Sequence, residues 1–332
     1  MTRLVYLMAI EKPLVLVAGA TGSTGRSIVK GLLDSGNFRI AALIRPQSAS
    51  KPAARELSAS GVEIRLGDLT DGVPKLKEAL AGVDILISAA RAISDQKDIM
   101  RAAKEVGVKR VVPCDFVTPG RKGVSETRDE KLAIREFIQE LGVPYTFIDV
   151  GWWMQFVLPL PARSKVPEAV KEWTYALHGD GTHKTLVTDL RHIGTYVARV
   201  VVDPRTLNRA VMVWEDEKTD VEIHEIGERL SGDGEALKAN RIYLSGEDLL
   251  RKAEEGKVEL ARDQINVYAR YTVDWNEYMY SIHILGENSL ENAKHLGYLD
   301  AHELYPDVPK HTLEDFAREF YAREEPGMEY LS

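Results

Sequence analysis

Residues 14–25 read LVLVAGATGSTG. The apolar run Leu14–Ala18 leads straight into Gly19, and Gly22 and Gly25 follow at three-residue intervals. A strand buried on both faces carries such an unbroken run, and Arg26–Ser35 continues with helical spacing at Ile28, Leu32 and Leu33. Strand, glycine turn and helix in that order form the first turn of a dinucleotide-binding βαβ unit. The glycines permit a tight turn and a close approach to a pyrophosphate, and the helix N-terminus offers it amide N–H groups and a positive dipole. A glycine-rich turn can also join strand to helix with no ligand, but here the strand and helix that the motif requires are both present. Gly19, Thr21, Gly22, Ser23, Thr24 and Gly25 are therefore expected around the phosphates.

At 332 residues the chain suits one large domain or two intimate ones. Its net charge of −8 speaks against a general binder of nucleic acid or of an anionic membrane, because phosphates would be repelled. The one cysteine, Cys114, leaves no internal disulfide and no CxxC metal site. No apolar run reaches the roughly 20 residues that span a bilayer. The opening MTRLVYLMAI resembles a signal peptide only superficially: its apolar part is short, it lacks a small-residue cleavage site, and Glu11-Lys12 leads directly into the first strand. Residues 1–11 read as an N-terminal extension, and the cytoplasm is the expected compartment.

Beyond the first helix, Phe38–Ile44 reads as a second strand ending at Arg45-Pro46. The residue at that tip sits by the adenosine ribose, where an acid binds the 2′-hydroxyl of NAD and an arginine accommodates the 2′-phosphate of NADP. Arg45 holds the position and Lys51 follows six residues on. Arg45 is either an ordinary loop arginine or a fork for that phosphate, and the ribose geometry favours NADP. Four further strands read at Val62–Leu66, Asp84–Ser88, Arg110–Pro113 and Tyr145–Val150, with helices at Lys75–Leu80 and Asp95–Val106. This alternation predicts an α/β fold with a doubly wound parallel Rossmann sheet and ligands beyond the carboxyl ends of its strands. Asp68, Ser88, Ala89, Ala90, Arg91, Cys114, Asp115, Phe116 and Gly151–Met154 fall at those ends. Each alone also fits a polar loop.

After the sixth strand comes GWWMQFVL, residues 151–158. Gly151, Trp152, Trp153 and Phe156 read either as buried aromatic packing, favoured for one of the two tryptophans, or as the wall of a pocket for a planar substrate. Helices at His192–Val202 and Ser245–Glu255 and a strand at Ala210–Trp214 imply a smaller α/β part, the second helix opening near a capping box at Ser245 and Asp248. The expected division is a nucleotide-binding domain over 1–158 and a substrate-binding part over 159–332, with elements around 185–214 packing back on the first.

Hydride transfer needs a proton donor or acceptor near the reacting carbon. None of the 13 tyrosines has a lysine four residues later, which removes the ordinary short-chain dehydrogenase pair. Lys131 is the best replacement. Its helix runs from about Glu126 to Leu141, and Ile134, Phe137, Ile138 and Leu141 form the apolar face with Lys131 at its edge. Spacing alone leaves open whether it reaches a pocket or snorkels at the surface. The eight histidines show no metal-ligand spacing, so no metal is expected.

Nearly the whole chain resembles the NmrA-like, isoflavone reductase-like branch of the atypical short-chain dehydrogenases, which includes phenylcoumaran benzylic ether and pinoresinol–lariciresinol reductases. The resemblance rests on GATGSTG at Gly19–Gly25, LIRP at Leu43–Pro46, GDLTD at Gly67–Asp71, DILIS at Asp84–Ser88, RVVPCDF at Arg110–Phe116 and KLAIREFIQELGVPYTF at Lys131–Phe147. GDG at Gly179–Gly181, IGTY at Ile193–Tyr196, DPRTLN at Asp203–Asn208 and ELYPDV at Glu303–Val308 continue it. It implies NADPH as hydride donor, Arg45 and Lys51 on the 2′-phosphate, and Lys131 as the catalytic lysine that also contacts the nicotinamide ribose. Three departures stand out. Cys114-Asp115-Phe116 replaces Ser-Glu-Phe, Gly151–Gln155 replaces an Asn followed by smaller residues, and Arg191-His192 replaces an acidic pair. Plant lignan or isoflavonoid specificity therefore does not carry over.

Together these readings describe a reductase of a small aromatic or conjugated substrate (a ketone, enone or benzylic ether), with no nucleic-acid or membrane partner and with homodimerisation left open. The rival is a non-catalytic NAD(P)-binding redox sensor that docks on a regulatory protein, which the Cys114-Asp115 replacement keeps in play.

Overall fold

Every residue of β1 (Leu14–Ala18) is buried, as its unbroken apolar run requires of a strand covered on both faces. Val15 and Val17 point into one core with Ile28 and Leu32, while Leu14, Leu16 and Ala18 point into another with Ile99, Ile134 and Ile138. These coordinates are a computed structural model that describes residues 11–328 apart from 91, 92 and 94. The expectation for Arg91 and most of that for the N-terminal extension thus lie outside the described residues.

Around β1 stand β2 (Arg39–Ile44), β3 (Glu63–Leu66), β4 (Ile85–Ser88) and β5 (Arg110–Val112), all parallel, in the order β3-β2-β1-β4-β5. The order reverses between β1 and β4, so the tips Ala18 and Ser88 are paired neighbours and the crevice opens beyond them. Next comes β6 (Thr146–Val150), joined to β5 through a bridge between Val111 and Tyr145. The helices of this half are α1 (Ser23–Ser35), α2 (Pro52–Ala59), α3 (Val73–Ala79), α4 (Gln96–Val106) and α5 (Glu126–Leu141).

Among the described residues, seven short strands follow: β7 (Trp152–Trp153), β8 (Ala176–His178), β9 (Lys184–Thr188), β10 (Arg209–Val213), β11 (Asp216–Thr219), β12 (Ile242–Leu244) and β13 (Leu299–Asp300). Two of them join β6 in a three-stranded sheet that continues from that bridge, β10 pairing in parallel with β6 and β13 with β10. The helix Ile193–Val200 packs against α1 where two glycines meet: a Cβ on Gly31 would lie 2.1 Å from the Gly194 carbonyl carbon. The rest of the C-terminal half packs around Met154, Leu160, Phe316 and Phe320, with the helices Gly246–Arg262 and Val267–Met279 running side by side.

The parallel α/β architecture is as expected, and α5 spans the expected residues. Other boundaries move. The first helix begins at Ser23, three residues before the expected start at Arg26, because a helix N-terminus is fixed by the Gly22 turn and not by core contacts. The helix expected to end at Glu255 runs on to Arg262 and carries a full capping box of Ser245 and Asp248. No described helix is long and apolar enough to cross a membrane.

Candidate active site

The glycine turn has three different reasons for three glycines. Gly19 has φ +79° and a Cβ there would lie 2.7 Å from the Ala89 carbonyl, while a Cβ on Gly25 would lie 2.1 Å from the Gly19 oxygen. Both are demanded by the chain's own packing. Gly22 is exposed, and a Cβ there would lie 3.5 Å from the Gly19 oxygen. It caps α1 without offering a side chain to the first amides. That leaves an open helix N-terminus, suited to an anion. Thr21 and Ser23 are exposed beside it, and Thr24 lines the cavity next door.

Arg45 is exposed directly beyond β2, and Lys51, also exposed, precedes α2. Asp68 shapes its own loop: its Oδ1 accepts from the Thr70 amide at 3.1 Å and hydroxyl at 2.9 Å. At the tip of β4 the Ser88 side chain is fully buried and its Oγ has no hydrogen-bond partner among the described residues, while Ala89 and Ala90 are half-buried.

A cavity of about 570 Å³ extends from Thr24 and Ala89 past Cys114, Asp115 and Phe116 to Lys131. Lys131 is only 6% exposed. Its Nζ donates to the carbonyl oxygens of Cys114 at 2.6 Å and Asp115 at 2.9 Å. Two of three ammonium donors are taken, which leaves one for the lobe that the side chain lines. Phe116 holds φ +45°, a left-handed conformation uncommon outside glycine, and its ring is buried.

Asp115 lines this cavity, but its carboxylate turns into the core. It is 2% exposed and accepts from Arg135 Nε at 3.0 Å, one helical turn along from Lys131. Arg135 also donates to Asp149 at 2.5 Å and to the Tyr298 hydroxyl at 2.6 Å. Arg128 completes the network, 3.0 Å from Asp149 and 2.9 Å from Tyr298. Burial works against the Arg135 charge, but Asp115 and Asp149 hold its pKa well above the ordinary value. Burial pushes the Cys114 thiol up against the pull of Lys131.

A second lobe of about 340 Å³ adjoins the first, and the two share Phe116, Val117, Thr127, Trp153 and Asp274. Gly151, Trp152, Trp153 and Phe156 line it. Both tryptophans are half-buried and both face the lobe; Trp152 also meets Trp275 edge-on at 5.7 Å. A Cβ on Gly151 would lie 2.7 Å from the Leu186 carbonyl carbon, so only glycine lets β7 run beside β9.

The far wall was missed in the sequence. It comes from the helix Val267–Met279, which contributes Tyr271, Asp274, Trp275 and Tyr278. Tyr268, Tyr271, Trp275 and Tyr278 recur at helical spacing, and that aromatic stripe is the signal available for finding it. Thr127 donates to Asp274 at 3.4 Å, and burial raises the Asp274 carboxyl against the opposing charge of Arg270. Arg270 itself pairs with Glu126 across the mouth.

The histidines also need correction, since distant ones do come together. His178 and His283 stack at 4.6 Å, and His178 Nδ1 lies 2.9 Å from Asp220, with His283 Nδ1 at 3.9 Å. Ligand atoms from the three residues lie within 4.8 Å of one another and all three are buried. Stacked rings send their in-plane lone pairs in parallel and not toward one ion, so the arrangement is a stacked core pair in which His178 bonds to Asp220.

The chain matches the model of the NmrA-like family over residues 11–317. It is 37% identical over 314 residues to asnovolin J 5',6'-dehydrogenase of Aspergillus novofumigatus (strain IBT 16806), covering 92% of this chain and 94% of that protein. It is 30% identical over 328 residues to phenylcoumaran benzylic ether reductase Pyrc5 of Pyrus communis, covering 93% and 99%. The fold superimposes on the solved structure of AtPrR2 with NADP+ and (+)pinoresinol with a TM-score of 0.75 at 26% identity, over 93% of this chain and 99% of that one.

Proposed function

Because the chain belongs to the NmrA-like family and is an oxidoreductase of its isoflavone reductase-like group, we propose that it reduces a small aromatic or conjugated ketone, enone or benzylic ether with NADPH. One observation carries the reading: two adjoining cavities with a shared wall bring together Thr24 at the N-terminus of α1, the buried Lys131 and an aromatic chamber. The residues fit the cofactor. Gly19, Gly22 and Gly25 with Thr21, Ser23 and Thr24 take the pyrophosphate, and Arg45 with Lys51 takes the 2′-phosphate. The lone Ser88 Oγ, with Ala89 and Ala90, lies where the strand order reverses. When bound, reduced cofactor supplies the hydride.

The chain's own part is to orient and to move a proton. The Cys114 and Asp115 carbonyls fix Lys131 Nζ, which serves a substrate oxygen in the first lobe. Trp152, Trp153 and Phe156 hold the flat part of the substrate and exclude water. Incubation with NADPH and a panel of aromatic ketones, enones and benzylic ethers tests this, with loss of NADPH absorbance as readout. A blank across the panel despite tight NADPH binding would replace the reductase with the sensor.

A further inference from the structure

The second lobe is walled by Trp152, Trp153, Phe156, Tyr271, Trp275 and Tyr278, and Asp274 is the one charged side chain among its lining residues. Aromatic rings present negative faces, and a carboxylate adds a full negative charge. Among the described residues nothing basic lines this lobe in compensation. The nearby cations are engaged elsewhere: Arg270 pairs with Glu126, Lys131 gives two donors to backbone carbonyls, and the buried Arg128 pairs with Asp149. Among the described residues Asp274 itself has only a long hydrogen bond from Thr127, 3.4 Å, although it is half-buried. That burial raises its pKa, the mark of a carboxyl short of opposing charge.

A neutral ligand filling such a chamber gains apolar burial but strips water from Asp274 without replacing it. A cation gains the same burial and meets both the ring faces and the carboxylate in a partly desolvated space, where each attraction is stronger than in water. We infer that the second lobe selects an organic cation, a flat conjugated ligand bearing a quaternary or protonated nitrogen, with its rings against Trp152 and Trp275 and its charge against Asp274. The inference rests on reading this cavity as the substrate site and narrows the substrate class to nitrogen cations.

Isothermal titration of the full chain with two molecules of equal shape tests it: 4-hydroxy-N,N,N-trimethylanilinium and 4-tert-butylphenol. The cation is expected to bind at least tenfold more tightly. Asp274→Asn should bring the two affinities within about twofold, and Trp275→Leu should weaken the cation; retained far-ultraviolet circular dichroism and NADPH binding establish that each variant is folded. Equal affinities, tighter binding of the phenol, no binding of either, or a preference that survives Asp274→Asn would overturn the inference. NADPH titrated into the same preparations separates the two readings: absent NADPH binding would defeat the reductase and leave the cation result standing.

Discussion

Lys131 Nζ lies 2.6 Å from the carbonyl oxygen of Cys114, so the side chain placed for proton transfer also ties down the end of β5. Removing it has two separable effects. Lys131→Met should lower turnover by about 10²–10⁴, the usual range for losing a general acid or base. It should also cost about 1–3 kcal/mol in urea denaturation, because the carbonyls of Cys114 and Asp115 lose their partner. NADPH affinity should stay within a few-fold, and turnover within tenfold of wild type would sink the catalytic role.

The glycines of the turn divide by function. Gly25→Ala places a Cβ 2.1 Å from backbone oxygen and should destabilise the fold by about 3 kcal/mol or more. Gly22→Ala meets only ordinary van der Waals distance within the chain. Its thermal midpoint should be nearly unchanged while NADPH binding weakens at least tenfold. Equal behaviour of the two variants would show that Gly22 answers to packing and not to a ligand.

Arg45→Asp addresses cofactor choice. Affinity for NADPH should fall by at least tenfold while NADH binds as well as before or better, since the replacement removes a phosphate partner and adds a ribose acceptor. Competition fluorimetry with both nucleotides reads this directly, and equal losses would count against the phosphate role.

Beneath the site, Arg135 joins Asp115 to Asp149 in full burial. Arg135→Met strands the buried Asp115 carboxylate, leaves Asp149 with Arg128 alone, and should cost about 3–5 kcal/mol by equilibrium unfolding. Tyr298→Phe, which removes only a neutral hydroxyl from the same network, should cost less. If the order were reversed, the charges would not be holding the network.

Acid stability depends on the histidine core. Burial holds His283 down to about 4, against the pull of Asp220, with His178, His224 and His183 also facing it unfavourably. The unfolded chain takes up that proton near pH 6.5, so the folded state loses stability as pH falls from about 6.5 to about 4, in total about 3 kcal/mol. Asp220 is held below the ordinary carboxylate range despite its burial, by His283 and His178. It therefore adds a loss that begins only below about pH 4. His283→Asn should flatten the unfolding free energy over the upper window; an unchanged slope would rule this source out.

The sequence shows local patterns well and distant meetings poorly. β1 was legible because an unbroken apolar run before a glycine turn has few alternatives, and Lys131 because α5 has a clear apolar face. Asp274 was not legible. It reaches Thr127 across 147 residues, and the aromatic stripe around it marks a helix face without saying what that face meets. His178 and His283 were hidden for the same reason. Asp115 lines the cavity, but position at a strand end fixes the backbone and not which way a carboxylate turns; Arg135, one helical turn beyond Lys131, turns it inward.

The pairing of β6 with β10 has a consequence for biosynthesis. When residues 146–150 leave the ribosome, the partner strand at 209–213 has not yet been made, and one edge of a buried, apolar strand stands open. The nucleotide-binding half therefore cannot finish its sheet co-translationally as an independent unit. It waits about sixty residues for its neighbour, and during that wait it is a natural client for a chaperone and a hazard for edge-to-edge aggregation.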